Sequence, residues 1–236
     1  MKHLSRSVKL DGEALFCVAT YGDDITYPVS YDDVEADIAA ARRALSALGL
    51  KSGDTVLLVS TIEESAHFWP LQAAIVEMGM LGLLADATLF DAIRVEMLLR
   101  RFTVNLAIGV NNTIVEGLRA ASFDVAEVLG RAQLLAARLD AVPALQALGL
   151  GVHRWVALGP TYAIDCRAGR LHFDSEAWDV SSPGGEIVVR PTGSRALGGD
   201  AVATGVMGHA VTEVCPCGRP DAALVLDDAS PAELGS

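Results

Sequence analysis

SYDDVEADIAAARRALSALGLKSGDTVLLV, Ser30 to Val59, decides the fold. Val34, Ile38, Ala41, Leu45 and Leu48 recur at the spacing that puts them on one face of a helix, about Tyr31 to Leu48, and Gly49 stops it. LKSGD, Leu50 to Asp54, is a turn. TVLLVS, Thr55 to Ser60, carries apolar residues on both faces, the pattern of a strand buried inside a parallel sheet. The alternation continues downstream. Glu63 to Met80 reads as a mostly apolar helix, GLLAD (Gly82 to Asp86) as a strand, Asp91 to Phe102 as a helix and VNLAIGV (Val104 to Val110) as a strand. Helical patterns run through Glu116 to Leu129, AQLLAAR (Ala132 to Arg138) reads as a strand, and PALQALGLG (Pro143 to Gly151) as a helix closed by glycine. Strands alternating with helices of this length predict βαβ units, hence an α/β fold with a layered, mostly parallel sheet and flanking helices.

Outward from that core the pattern changes. Upstream, EALFCVA (Glu13 to Ala19) is a short strand, TYGDD (Thr20 to Asp24) a polar turn, and ITYPVSY leads into the helix. Beyond about Trp155, short β-like runs such as YAIDC, RLHFD, AWDV, EIVVRP, DAVATGV and TEVCP are separated by Gly, Pro and Asp. They predict a small antiparallel β subdomain. The expected organisation is an N-terminal tail (1–12), an α/β core (13–155), a β subdomain (156–226) and a polar C-terminal tail (227–236).

The chain has 236 residues, is 51% hydrophobic and has a mean hydropathy of +0.36, so it can bury a sizeable core. Its formal net charge is −12. That balance argues against nucleic acid, which needs a basic face, and against an anionic membrane surface. No apolar run is long enough to span a bilayer. The start, MKHLSRSVKLDGE, lacks the apolar core of a secretory signal. The expectation is a cytoplasmic protein, where close cysteines bind metal more often than they form disulfides.

Three of the four cysteines and one histidine form two clusters: Cys166 and His172 in IDCRAGRLH, and Cys215 and Cys217 in VCPCGR. Structural zinc sites are built from such close pairs of thiolate and imidazole ligands, so the set fits a closed Cys3His zinc site. The alternative is cysteines scattered as small apolar residues of a β subdomain. His209 is a substitute ligand or an ordinary loop histidine. Cys17, on the apolar strand, reads as a core thiol.

The stretch LGPTYAIDCRAGRLHFDSEAWDV (Leu158 to Val180), followed by GGEIVV (Gly184 to Val189), GGD (Gly198 to Asp200) and CPCGR (Cys215 to Arg219), resembles the phenylacetate–CoA ligase family, within the adenylate-forming acyl-CoA synthetase superfamily. Ser30 to Val59 resembles the helix, turn and strand that follow that family's phosphate loop. The resemblance covers roughly residues 15–226. It is specific in the last third and generic in the first half. It implies that Cys166, His172, Cys215 and Cys217 hold structural zinc, and that Asp200 is the carboxylate that binds the ribose of ATP or AMP. An ordinary Asp after a glycine turn is the alternative for Asp200.

The departures bear on activity. The family's Ser/Thr/Gly-rich phosphate loop, ending in Gly-Lys-Pro, corresponds to ATYGDDITYP (Ala19 to Pro28), which has one glycine, no lysine and two aspartates. Those carboxylates would repel a triphosphate. The Gly-Ala-Glu signature would fall near AARL (Ala136 to Leu139), and the Tyr-Gly-x-Ser/Thr-Glu motif near VHRWV (Val152 to Val156); neither is present. The small C-terminal domain carrying the family's adenylation lysine also has no counterpart. His67, Phe68 and Trp69 lie on the helix that flanks the family's acyl pocket, where core packing is the alternative reading. His153 and Arg154 sit at the expected junction.

The expectation is therefore a truncated, degenerate ligase-like protein. It binds an acyl or aryl carboxylate, a nucleotide-type ligand or a partner protein, or it dimerises, without adenylating on its own. The alternative is a minimal AMP-forming ligase that uses a partner chain for the missing lysine domain.

Overall fold

The computed structural model describes residues 15–21, 25–219 and 222–227. Helix α1 (Tyr31–Ala47) starts where the sequence demands it. The Ser30 hydroxyl accepts from the Asp33 amide at 3.1 Å, and the Asp33 carboxylate accepts from the Ser30 amide at 2.9 Å. This reciprocal cap satisfies donors that the first turn leaves open, and such caps contribute about 1 kcal/mol. Gly49, at φ 82°, ends the helix.

From there the chain is doubly wound. β3 (Thr55–Ser60) leads through α2 (Ser65–Glu77) to the edge strand β4 (Leu81–Asp86), then through α3 (Ala92–Arg101) back across to β5 (Leu106–Val110). α4 (Asn112–Ala120) and α5 (Val125–Leu129) lead to β6 (Leu134–Arg138), and α6 (Val142–Ala147) to β7 (His153–Leu158). The parallel order is β4-β3-β5-β6-β7. β3 is buried on both faces. Val56 and Leu58 pack with α1 and α2 through Leu45, Leu71 and Ile75, while Leu57 and Val59 pack with α3 to α6 through Val95, Ile114 and Leu145.

Two predicted helices are cut shorter. Glu63 to Met80 resolves into a single 3-10 turn, Ile62–Glu64, followed by α2. Glu116 to Leu129 breaks at Ser122, which adopts φ 62°, and restarts as α5 under the Asp124 cap on the Glu127 amide.

The antiparallel strands continue the same sheet. β8 (Thr161–Asp165) returns from β7 through the two-residue connection Gly159-Pro160, with Gly159 at φ 63°. The order then runs through β9 (Leu171–His172), β13 (Ala223–Leu226), β12 (Val202–Val211), β11 (Glu186–Pro191) and β10 (Trp178–Ser181). The sheet is thus mixed, and β7 is the strand at which parallel pairing gives way to antiparallel. Residue 155 lies inside that strand.

β1 (Leu15–Tyr21) and β2 (Ile25–Ser30) form a separate two-stranded hairpin. It docks onto the larger sheet: the Tyr21 hydroxyl donates to the Thr204 carbonyl at 2.6 Å, and the Tyr27 hydroxyl to the Gly159 carbonyl at 3.2 Å. The tip of the predicted TYGDD turn, residues 22–24, lies outside the described residues, as do the expected tails through 14 and from 228. No helix among the described residues is long and apolar enough to cross a membrane.

Candidate metal centre and ligand crevice

Two tight turns carry the four predicted ligands. In the first, the Gly169 amide donates to the Cys166 carbonyl at 2.9 Å and the Cys166 amide to the Arg170 carbonyl at 2.8 Å. This turn joins β8 to β9, so Cys166 and His172 are diagonal neighbours on one face of an antiparallel pair. In the second, the Gly218 amide donates to the Cys215 carbonyl at 3.0 Å. Gly169 and Gly218, at φ 73° and 82°, supply the left-handed residue that closes each turn. A Cβ at either would meet nothing within 4 Å, so backbone conformation rather than space selects glycine there.

The fold brings the two turns together. Cys166 Sγ lies 3.6 Å from Cys215 Sγ, and Cys217 Sγ lies 3.5 Å from His172 Nε2. All four ligand atoms fall within 4.8 Å of one another, and only Cys217 is more than marginally exposed. A tetrahedron with metal–sulfur bonds of about 2.3 Å has edges of about 3.8 Å, so the donor set and its spacing fit a tetrahedral ion. Desolvation and hydrogen bonds with Cys215 and Cys166 push the Cys217 thiol up to about 11. At Cys215 desolvation acts upward too, but hydrogen bonds from Cys217 and Cys166, with Arg170 nearby, hold the thiol below its usual value.

Neighbouring residues brace the cluster. Arg154 clamps Asp165, one residue before Cys166, with both guanidinium bonds at 2.8 Å, and its Nη2 also reaches the Gly169 carbonyl at 3.3 Å. Arg154, predicted at a junction, therefore supports the first turn. His153 lies at the start of β7. β13 pairs with β9 at Ala223 and His172, which holds the backbone of His172 between two strands.

The other sequence candidates are dispersed. His209 is exposed on β12, outside the cluster. Cys17 packs against a small core that the hairpin shares with α1 and α2. Asp200 is exposed in the irregular segment before β12. His67 is buried, its Nε2 lies 2.9 Å from the Gly159 carbonyl, and its ring stands edge-on to Trp155 and Tyr162. Burial holds it below its usual basicity, so it is a neutral core histidine. Phe68 is buried, whereas Trp69 is half-exposed against Phe16.

A cavity of about 30 Å³ lies between α1, α2 and β8, lined in part by Asp37, His67, Tyr162 and Asp174. It has room for a water molecule or two, against roughly 300–1,000 Å³ for a small-molecule pocket. Asp174 Oδ2, buried and without a protein partner, is a polar group such a water would satisfy.

Two partly buried ion pairs escaped the sequence reading. Arg195 pairs with Asp37 at 2.7 Å and lies 4.5 Å above the Trp178 ring, tying the segment before Asp200 to α1. Arg138, at the end of β6, meets Glu64, just beyond β3. Partners 74 residues apart leave no local pattern to find.

No protein-family model matches this chain, and no curated protein matches it in sequence. Solved structures do. The chain is similar to 2-hydroxyisobutyryl-CoA ligase in an open conformation with 2-HIB-AMP and CoA, with a TM-score of 0.72 and 16% identity over 92% of this chain and 57% of that one. It is also similar to the same ligase in its postadenylation state with 2-HIB-AMP, with a TM-score of 0.69 and 15% identity over 89% and 50%. The chain spans little more than half the length of these structures. At this identity the likeness shows the fold: a mixed α/β sheet of the acyl-CoA ligase kind, bearing a Cys3His group that could hold a metal ion.

Proposed function

We propose that this chain is an acyl-CoA-ligase-like protein that binds a carboxylate, acyl or nucleotide-type ligand, or a partner, and does not adenylate on its own. The observation that carries the reading is the β1–β2 hairpin. It stands where the resemblance puts the phosphate loop, and its tyrosine hydroxyls are committed to the carbonyls of Thr204 and Gly159. A phosphate cradle needs converging amides, hydroxyls and a cation; Ala19 to Pro28 offers no lysine. Each lost donor of this kind commonly costs about 2.7–4 kcal/mol of transition-state stabilisation.

In this reading the metal is zinc and its role is structural, because four protein ligands leave no open position for substrate. Cys166, His172, Cys215 and Cys217 hold it, and it ties the β8–β9 hairpin to the loop after β12. The protein is cytoplasmic, and Asp200 is the residue to vary for any ribose contact.

The test is a calorimetric titration of the metal-replete chain with ATP–magnesium, AMP and aryl acids, beside a pyrophosphate-exchange assay. Binding without exchange supports the proposal. ATP-dependent pyrophosphate exchange by the isolated chain overturns it in favour of a minimal ligase.

A further inference from the structure

Open α/β sheets bind ligands beyond the carboxyl ends of their strands, at the point where the winding reverses. Here that point is unambiguous. β3 is followed outward by β4, and the chain then returns to lay β5 on the other side of β3, so the crevice opens between β3 and β5.

The crevice is filled by the protein itself. Arg138 extends across it from the end of β6. Its Nε donates to the Gly109 carbonyl of β5 at 2.9 Å, and its Nη2 to the Val59 carbonyl of β3 at 3.3 Å. Nη1 and Nη2 both donate to the Glu64 carboxylate, the latter at 2.7 Å. The guanidinium lies over two aromatic faces, 5.8 Å from the Phe68 ring centre and 5.6 Å from that of Trp155. The Arg138 and Glu64 side chains are only about one-fifth exposed, at 19% and 21%. The forked carboxylate contact is the geometry in which arginine recognises a free carboxylate.

Two further features separate the cation from its anion. The strand carbonyls and aromatic rings that hold Arg138 belong to rigid elements of the sheet and α2. Glu64 belongs to the 3-10 turn that leads directly into α2, at the edge of that helix, and the turn's Ile62 is 83% exposed. Glu64 is retained by bonds from Thr61, whose amide and hydroxyl lie 2.8 and 3.2 Å from Oε2.

We propose that Arg138 is a carboxylate-binding site at the sheet's winding reversal which the chain keeps occupied with its own Glu64. The ligand class is a small monocarboxylate, which displaces Glu64 by an outward move of the Ile62–Glu64 turn. This deepens the ligand-binding reading above and rests on it for the class of ligand, but not on the metal or on the absence of adenylation.

Glu64→Ala tests it by leaving the guanidinium without its anion. The variant should melt well below the wild type. Sodium formate or acetate should raise its melting temperature by several degrees over sodium chloride at equal ionic strength, with a smaller rise of the same sign in the wild type, where the ligand must first displace Glu64; a wild type that never responds, up to molar formate, overturns the displacement. The response should vanish in an Arg138→Met, Glu64→Ala double variant. Should Glu64→Ala fail to fold, refolding from urea in formate and in chloride gives the same reading: recovery in formate alone supports the site, and recovery in neither overturns it. Equal effects of formate and chloride overturn it, and a response to phosphate but not to carboxylates overturns the ligand class. Pyrophosphate exchange by the wild type would sink the non-adenylating reading and leave this one standing.

Discussion

Removing the metal should cost the protein the constraint that holds its two ligand turns together. A zinc ion bound as proposed would cross-link Cys166 and Cys215, 49 residues apart in sequence. The chain-entropy relation for a loop of that length gives about 4 kcal/mol of lost denatured-state freedom. Treating the native protein with a strong zinc chelator should therefore lower its unfolding free energy in urea by about 4 kcal/mol, before any further loss from uncompensated ligand groups. Trp178 is 2% exposed and packs in the β-rich core, so its fluorescence follows the affected region. A Cys215→Ser, Cys217→Ser variant should show the same loss without chelator and no further change with it. Elemental analysis should find about one zinc per chain in the wild type and none in the variant. An unchanged urea midpoint after verified removal of zinc would refute the argument that ligation is folding energy here.

Other expectations concern residues away from the metal. Gly109 has φ 89°, and a Cβ there would lie 2.2 Å from the Val59 carbonyl and 2.8 Å from the Phe68 ring, so Gly109→Ala should destabilise by about 3 kcal/mol or more in urea unfolding. Tyr21→Phe should cost about 1 kcal/mol and raise amide exchange in the β1–β2 hairpin, since it removes the bond to the Thr204 carbonyl. His67 has a folded-state value below the usual one because it is buried, while the unfolded chain takes up a proton near pH ~6.5. Its contribution is therefore fully present above about that pH and is lost as pH falls below it, where the unfolded state binds more protons. A His67→Gln variant should show a shallower acid decline than the wild type in melting temperature across pH ~5.5 to ~7.5, about one unit either side of the free histidine.

What the sequence disclosed follows from the range of each interaction. α1, β3 and β5 were legible because periodicity and apolar runs are local signals, and Gly49 marks the end of α1 chemically. The grouping of Cys166, His172, Cys215 and Cys217 was legible because thiol and imidazole in close pairs are rare enough to stand out, although only the fold brings Cys166 to Cys215. The break at Ser122 was not, because a positive-φ serine is set by the packing of Phe123 and Val125 rather than by its own preference. Nor was the mixed sheet. A two-residue Gly159-Pro160 connection decides that β8 turns back beside β7, and antiparallel strands on the far side follow from that one reversal. The Arg138–Glu64 pair depends on two strand ends meeting at the winding reversal, a property of topology with no trace in composition.

The position of β13 has a consequence for biosynthesis. Ala223 to Leu226 lie in the middle of the antiparallel half, between β9 and β12, although they come after both in the chain. During synthesis the parallel strands β3 to β6 can pair as each emerges, because every partner has already been made. The far half cannot close in that way. Until residue 226 has cleared the ribosome, β9 and β12 have no strand between them, and the two cysteine-bearing turns flank a gap that nothing yet fills. Vectorial folding therefore leaves the last segment to complete the sheet.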